Sequence, residues 1–284
     1  MNLLKRLYME APRQGFSLGS TFPKQDSRSL PLSVREKDSY SIQSVDNALD
    51  VLEALCDEGD EVRISRLSER LGMNKTSVFR LLATFENRGY VEKEKGSGKY
   101  RLGLSAYEIG QKFLSRMGLL RKARPVMERM VRECDEAAYI TVRRGSDVLF
   151  LDMVDTSQQV KIISLVGKRY PVEIPAAGKV LLACTPADGE AKAEWPSLAE
   201  SLGKVRLQGF CIDQGAMGDG IASAAVPLFS SGGELQASLC FVGPDFRLSQ
   251  EKIESMFLPR LQEAGNTISS KLGYLGDCLN RDNF

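Results

Sequence analysis

The chain has 284 residues, 43% of them hydrophobic and 26% charged, with a formal net charge of +1. That length predicts two domains, and the composition is that of a soluble globular protein. The near-neutral total means that any nucleic-acid reading has to rest on a local patch. There is no histidine, which removes the commonest general base, the commonest metal ligand and every Ser-His or Cys-His catalytic pair. No metal and no cofactor are expected.

No run of about 18 apolar residues is present, so no membrane span is expected. The start, Met1 to Leu7, is too broken by charge for a secretory segment, and a cytoplasmic protein is expected. The cysteines, Cys56, Cys134, Cys184, Cys211, Cys240 and Cys278, form no C-x-x-C pair. They are read as small buried hydrophobes in a reducing compartment.

Residues 1–40 are rich in Ser, Arg, Pro and Gly and read as a disordered N-terminal tail. Helical spacing begins at Val45, Ala48, Leu49, Leu52 and Leu55, with Ser44 as the expected N-cap and Gly59 as the stop. A second, two-turn helix is expected from a Ser65 cap to Gly72, with Leu67 and Leu71 inward. Asn74 then caps a third helix, whose buried stripe is Val78, Leu81, Leu82 and Phe85. Two short helices joined by Gly72-Met73-Asn74 make a helix-turn-helix. Tyr90 to Lys93 and Tyr100 to Leu102 read as strands around a Gly96-Ser97-Gly98 tip, which completes a winged helix over 41–103.

A linker helix is expected over 104–118, mainly Leu104 to Arg116, and another helix from Leu119 to Cys134. Strands are expected at Ala138 to Val142, Val148 to Val154 and Val160 to Leu165, then a short helix near Ala176 to Cys184. Further strands are expected at Ala222 to Leu228 and Leu235 to Val242, and a final helix from Ser249 to Leu272. Antiparallel strands between helices predict an α+β domain over 119–276, followed by a C-terminal tail, 277–284.

Between Glu61 and Leu102 the chain carries ten basic and five acidic residues. A local excess of five in a chain of total charge +1 points to a phosphate-rich partner, double-stranded DNA. The unburied face of the third helix carries Lys75, Thr76, Ser77, Phe79, Arg80 and Thr84. Its first turn is the part that enters the major groove in this motif. Thr76, Ser77 and Arg80 can reach base edges, and Phe79 can touch a thymine methyl. Lys75 is placed for phosphate, and Lys95 and Lys99 flank the glycine-rich wing tip. The competing reading is a winged helix that docks on protein alone.

These blocks resemble the isocitrate lyase regulator (IclR) family of transcription factors. In the first domain the resemblance is carried by Ser44-Val45-Asp46-Asn47-Ala48-Leu49, Leu67-Ser68-Glu69-Arg70-Leu71-Gly72, Lys75-Thr76-Ser77-Val78-Phe79-Arg80-Leu81-Leu82 and Gly89-Tyr90-Val91 with Tyr100-Arg101-Leu102-Gly103. In the second it is carried by Val166-Gly167-Lys168-Arg169-Tyr170-Pro171, Ala176-Ala177-Gly178-Lys179, Gly209-Phe210-Cys211-Ile212-Asp213 and Gly243-Pro244. The resemblance implies a GAF-like effector-binding domain, a small and usually anionic effector, most simply a carboxylate, and assembly as a homodimer or homotetramer. It implies effector contacts at Ala176, Ala177, Asp213, Ser223, Cys240 and Val242. Ala176 and Ala177 open a helix whose amides suit a carboxylate.

Three departures stand out. Cys240 and Val242 occupy positions often filled by Ser or Cys, Gln214-Gly215 replaces an acidic pair, and Glu173 replaces a histidine. They point to a ligand less polar than the family's usual one, or different from it. An enzyme reading would need Cys240 or Lys179 as nucleophile, and no base or oxyanion motif accompanies either.

Overall fold

The computed structural model describes residues 41–59, 61–185 and 195–276. The expected tails at 1–40 and 277–284, with Cys278, lie outside the described residues.

The first three helices are α1 (Gln43–Glu58), α2 (Ile64–Leu71) and α3 (Lys75–Asn87). They enclose a small core of Val51, Ala54, Leu55, Val62, Leu67, Val78 and Leu82, closed by Val91 and Tyr100 from a hairpin. That hairpin pairs β1 (Val91–Lys93) with β2 (Tyr100–Leu102) in antiparallel register, Glu92 facing Arg101. Two of the expected caps are corrected. Helix α1 starts at Gln43 with Ile42 in the cap position, and α2 starts at Ile64 with Arg63 there; neither has a side-chain cap. Ser44 and Ser65 therefore lie inside the first turns, because burial of the apolar stripe, not the hydroxyl, sets where each helix begins.

Helices α4 (Leu104–Arg116) and α5 (Gly118–Cys134) follow, separated only by Met117. Helix α5 buries Leu120, Ala123, Met127, Met130 and Val131, as its periodicity requires. The sheet that it covers has six strands: β3 (Ala138–Arg144), β4 (Asp147–Val154), β5 (Arg169–Pro171), β6 (Cys211–Gln214), β7 (Ile221–Phe229) and β8 (Leu235–Pro244). Their order is β5-β4-β3-β8-β7-β6, every pairing antiparallel.

Alternation along the strands creates two faces. Ala138, Ile140, Ala224, Val226, Leu239 and Phe241 face a core shared with α5 and the C-terminal helix. Tyr139, Phe150, Ala225, Cys240 and Val242 face a second core, shared with α6 (Ala176–Cys184) and α7 (Ala199–Gln208). The C-terminal helix consists of α8 (Gln250–Lys252), a π turn (Ile253–Phe257) and α9 (Leu258–Lys271). Pro259, two residues past the π turn, has no N–H to offer Ser255 in an α-type bond, which accounts for the slipped register there.

The expected strand Val160–Leu165 is not formed. The edge of β4 that it would have paired with is already taken: Phe150 N donates to Lys168 O at 3.1 Å, Gly167 N donates to Phe150 O at 2.8 Å, and β5 pairs with 147–149. The segment instead runs as a loop with Val160 and Ile163 exposed and Leu165 buried. Asp135 and Arg247 hold it. Asp135 Oδ1 accepts from Thr156 Oγ1 at 2.9 Å and from Ser157 N at 3.1 Å. Arg247 spans the Glu136 carboxylate, itself 2% exposed, and donates to Val160 O at 2.7 Å. The cysteine expectation is corrected at one position: Cys134, Cys184, Cys211 and Cys240 are buried, but Cys56 is exposed on the outer face of α1. Among the described residues, no helix is long and apolar enough to cross a membrane.

Helix α6 rests on backbone. A Cβ built at Gly178 would lie 1.9 Å from the Val172 carbonyl oxygen, closer than any side chain can approach. Gly178→Ala therefore has to push α6 off the chain at 172, at a cost of about 3 kcal/mol. The expected readout is a melting temperature lower by about 6–12 °C; an unchanged melt would show that α6 relaxes freely.

Candidate nucleic-acid interface and effector site

Asn74 fixes the start of α3. Its Oδ1 accepts from the Ser77 amide at 2.8 Å and its own carbonyl accepts from Val78 N at 3.2 Å. With Val78 and Leu82 fully buried and Leu81 and Phe85 packed behind them, the rotation of the helix is set. Lys75, Thr76, Phe79, Arg80 and Thr84 come to the outside; Phe79 is 48% exposed. Ser77 is partly buried and its amide is committed to the cap, so a ligand there meets its hydroxyl rather than its N–H. Thr84 Oγ1 donates back to Arg80 O at 3.0 Å, which leaves its oxygen as the outward-facing acceptor.

The basic excess is not uniform. Arg66 is paired with Glu58 at 2.8 Å, and Arg70 with Asp57 at 2.6 Å and Glu58 at 3.2 Å. Arg101 is paired with Glu92 at 2.8 Å. Lys99, expected to flank the wing tip as a phosphate ligand, instead reaches Glu61 at 2.6 Å. These partners hold the Glu58 and Glu61 carboxyls below the ordinary carboxylate range, chiefly through the hydrogen bonds from Arg66 and Lys99. Lys75, Arg80 and Lys95 have no ion-pair partner among the described residues, and all three side chains are exposed. The paired cations brace the domain; the others form its outward charge. Pairing of this kind is invisible in a count of charges, and a sequence gives no signal for it beyond the presence of acids.

In the second domain the six expected effector residues converge on the α6 side of the sheet. Ala176 and Ala177 are fully buried in the first turn of α6, whose N-terminus has no side-chain cap. Asp213 on β6 faces Ser223 on β7, which faces Val242 on β8. Cys240 lies one pleat further along β8, opposite Tyr139. Asp213 Oδ2 accepts from Lys179 Nζ at 2.8 Å and Oδ1 accepts from Ala216 N at 2.9 Å. Ser223 is 1% exposed and its hydroxyl has no hydrogen-bond partner among the described residues. The same holds for Thr141 and Ser238, paired across β3 and β8 on that face. The Tyr139 hydroxyl also lacks a bond of good geometry; burial raises its pKa, offset in small part by the Leu165 backbone. Unsatisfied buried hydroxyls are rare, because each forfeits its hydration without replacement. The sequence reading missed Tyr139, Thr141, Ser238 and the Lys179–Asp213 pair. Strand parity would have put the hydroxyls on one face, but nothing in the sequence aligns β3 with β8.

Burial also disarms the thiols. It pushes Cys211 up to about 11, against partial relief from Lys179, and Cys184 up to about 12; Cys240 rises further, through burial alone. A protonated thiol is a poor nucleophile.

A winged helix with a bare cationic recognition face, followed by an α+β domain built on an antiparallel sheet, defines the class of two-domain DNA-binding transcription regulators. Comparison with known proteins gives the family. The helix-turn-helix profile described as "IclR helix-turn-helix domain" matches residues 44–95, and "Bacterial transcriptional regulator IclR C-terminal" matches residues 111–270. The chain belongs to the IclR family, whose members regulate transcription by binding DNA. It is 30% identical over 255 residues to the HTH-type transcriptional regulator KdgR of Escherichia coli, covering 84% of this chain and 96% of that one. Its fold is similar to the crystal structure of an IclR transcriptional regulator from Alicyclobacillus acidocaldarius, with TM-score 0.73 at 23% identity, covering 82% and 100% of the two chains. It is also similar to an IclR homolog from Microbacterium hydrocarbonoxydans complexed with 4-hydroxybenzoate, with TM-score 0.70 at 23% identity, covering 81% and 98%.

Because one side chain fixes the start of α3, Asn74→Ala is expected to destabilise the first domain by about 1 kcal/mol. Urea unfolding followed by circular dichroism measures it, and Asn74→Ser should restore most of the loss.

Proposed function

We propose that this regulator reads its operator with the first turn of α3 and the wing, and that a small carboxylate bound on the α6 face of the second domain modulates that reading. The contact residues are Lys75, Thr76, Ser77, Phe79, Arg80 and Thr84 from α3, and Lys95 and Lys99 from the wing. Arg80 is suited to a guanine edge and Lys75 to phosphate. Lys99 engages phosphate by exchanging Glu61 for it, so its net contribution is smaller than that of Lys75.

One observation carries the effector reading: the buried, partnerless Ser223 hydroxyl between Asp213 and Val242, on the face covered by the uncapped first turn of α6. Backbone amides at a helix start and a free hydroxyl suit a carboxylate. Ala176, Ala177, Cys240 and Val242 supply the apolar wall. The structural relative from Microbacterium holds an aromatic hydroxy acid; a ligand of that chemistry would also satisfy the hydroxyls of Tyr139, Thr141 or Ser238 if it extends along β8.

A homodimer completes the reading. Helix α1 exposes an apolar stripe at Ile42, Val45 and Leu49, and α4 exposes Leu104, Tyr107, Ile109 and Phe113, each more than half exposed. Apolar surface of this kind is usually covered by a partner, and a second copy brings a second recognition helix to a second half-site.

Arg80→Ala is expected to weaken specific operator binding by about 1–3 kcal/mol. Lys75→Ala lowers affinity for all sequences and reduces the salt slope by about one. Arg101→Ala, which breaks only an internal pair, leaves both unchanged. Gel-shift titrations at several salt concentrations distinguish these outcomes. Equal losses for Arg80→Ala and Arg101→Ala would contradict the placement of the recognition face. In sedimentation experiments, Tyr107→Asp with Phe113→Asp shifts the chain towards monomer; an unchanged mass would remove α4 from the interface. Adding the effector changes operator affinity in the wild type, and a Ser223→Val variant loses that response while keeping its basal DNA binding.

A further inference from the structure

The ion pair between Lys179 and Asp213 does more than join α6 to the edge of the sheet. We propose that Lys179 sets the charge of the ligand that the second domain accepts: by neutralising Asp213 it converts a carboxylate-repelling site into a carboxylate-accepting one. This rests on the effector reading above and names the residue that makes that reading electrostatically possible.

Asp213 stands beside Ser223 on the neighbouring strand, and neighbouring strands lie only about 4.8 Å apart. A ligand carboxylate held by Ser223 and the α6 amides would therefore meet a second carboxylate at close range. The Asp213 side chain is 10% exposed, so water screens little of that repulsion, and like charges sharing such a site oppose each other strongly. Lys179 lies in the first turn of the same helix, 16% exposed, with its Nζ 2.8 Å from Asp213 Oδ2. The other Asp213 oxygen accepts from the Ala216 amide. The carboxylate is thus fully engaged before any ligand arrives.

Two further cations of the domain are committed elsewhere. Arg206 donates to the Ala183 carbonyl at the far end of α6, and Arg247 is held by Glu136. With Lys179 and Asp213 cancelling, what remains at the site is the positive end of α6 and a free hydroxyl. Removing the lysine alone leaves a net negative site; removing the aspartate alone leaves a net positive one.

The two substitutions therefore have opposite signs, which a purely structural staple does not produce. The test uses the full chain and follows thermal stability with acetate, pyruvate, benzoate and 4-hydroxybenzoate, each beside its neutral amide. Wild type is stabilised by at least one acid more than by the matching amide. Lys179→Met weakens that acid by about tenfold or more, whereas Lys179→Arg keeps it. Asp213→Asn binds the acid more tightly than wild type, and the double variant Lys179→Met/Asp213→Asn returns towards the wild-type value. If Lys179→Met does not fold, the sign of the Asp213→Asn effect still decides. Acid affinity unchanged in Lys179→Met, or lowered in Asp213→Asn, overturns the role of Lys179 and leaves the effector site standing. Absence of any acid response in wild type overturns the carboxylate reading itself, and this inference with it.

Discussion

The second domain depends on the contact of α6 with the chain beneath it. There is no room for a side chain between Gly178 and the Val172 carbonyl, so the first turn of the helix is held against backbone rather than against a compressible side chain. Backbone-to-backbone seating leaves little freedom for tilt. It fixes where Ala176 and Ala177 present their amides, how far Lys179 reaches, and which row of the sheet the helix covers. A looser version recurs at Gly265, where a Cβ would come within 2.9 Å of the Val226 side chain on β7. One helix thus seats a glycine on the turn just after β5, and the other seats one on β7 itself.

The DNA-binding half is organised by a different division, between spent and unspent charge. Arg66, Arg70, Lys99 and Arg101 are tied to acids of their own domain, while the α3 cations point outward. The exposed pairs among these add little stability individually. Their larger effect is to leave Lys75 and Arg80 on α3 and Lys95 at the tip of the wing among the cations without an ion-pair partner in the described residues.

Much of this was legible in the sequence, for identifiable reasons. The stripe Val78, Leu81, Leu82 and Phe85 has one helical solution, and Asn74 before it has one role. The wing strands, α4, α6 and the long β7–β8 hairpin likewise follow from periodicity and turn residues. What failed, failed where local pattern is overruled by a competitor. Val160 to Leu165 has strand-like composition, but β5 occupies the edge of β4 that it needed. Helix α7 and strand β6 were missed because a polar, weakly periodic stretch gave no stripe to follow; α7 buries only Val205. Ser44 and Ser65 were natural caps, each two residues too late. For the candidate site, family resemblance pointed to Asp213 and Ser223, but their orientation towards α6 came only with the strand alignment.

The chemistry that this chain lacks has a consequence of its own. With no imidazole anywhere in the sequence, and with Cys134, Cys184, Cys211 and Cys240 buried and raised in pKa by that burial, the side chain that ordinarily titrates near neutrality is missing and four of the thiols are muted. Among the described residues, Cys56 is the one cysteine whose thiol lies on an exposed position. Thiol chemistry open to solvent is therefore confined, among the described residues, to the outer face of α1.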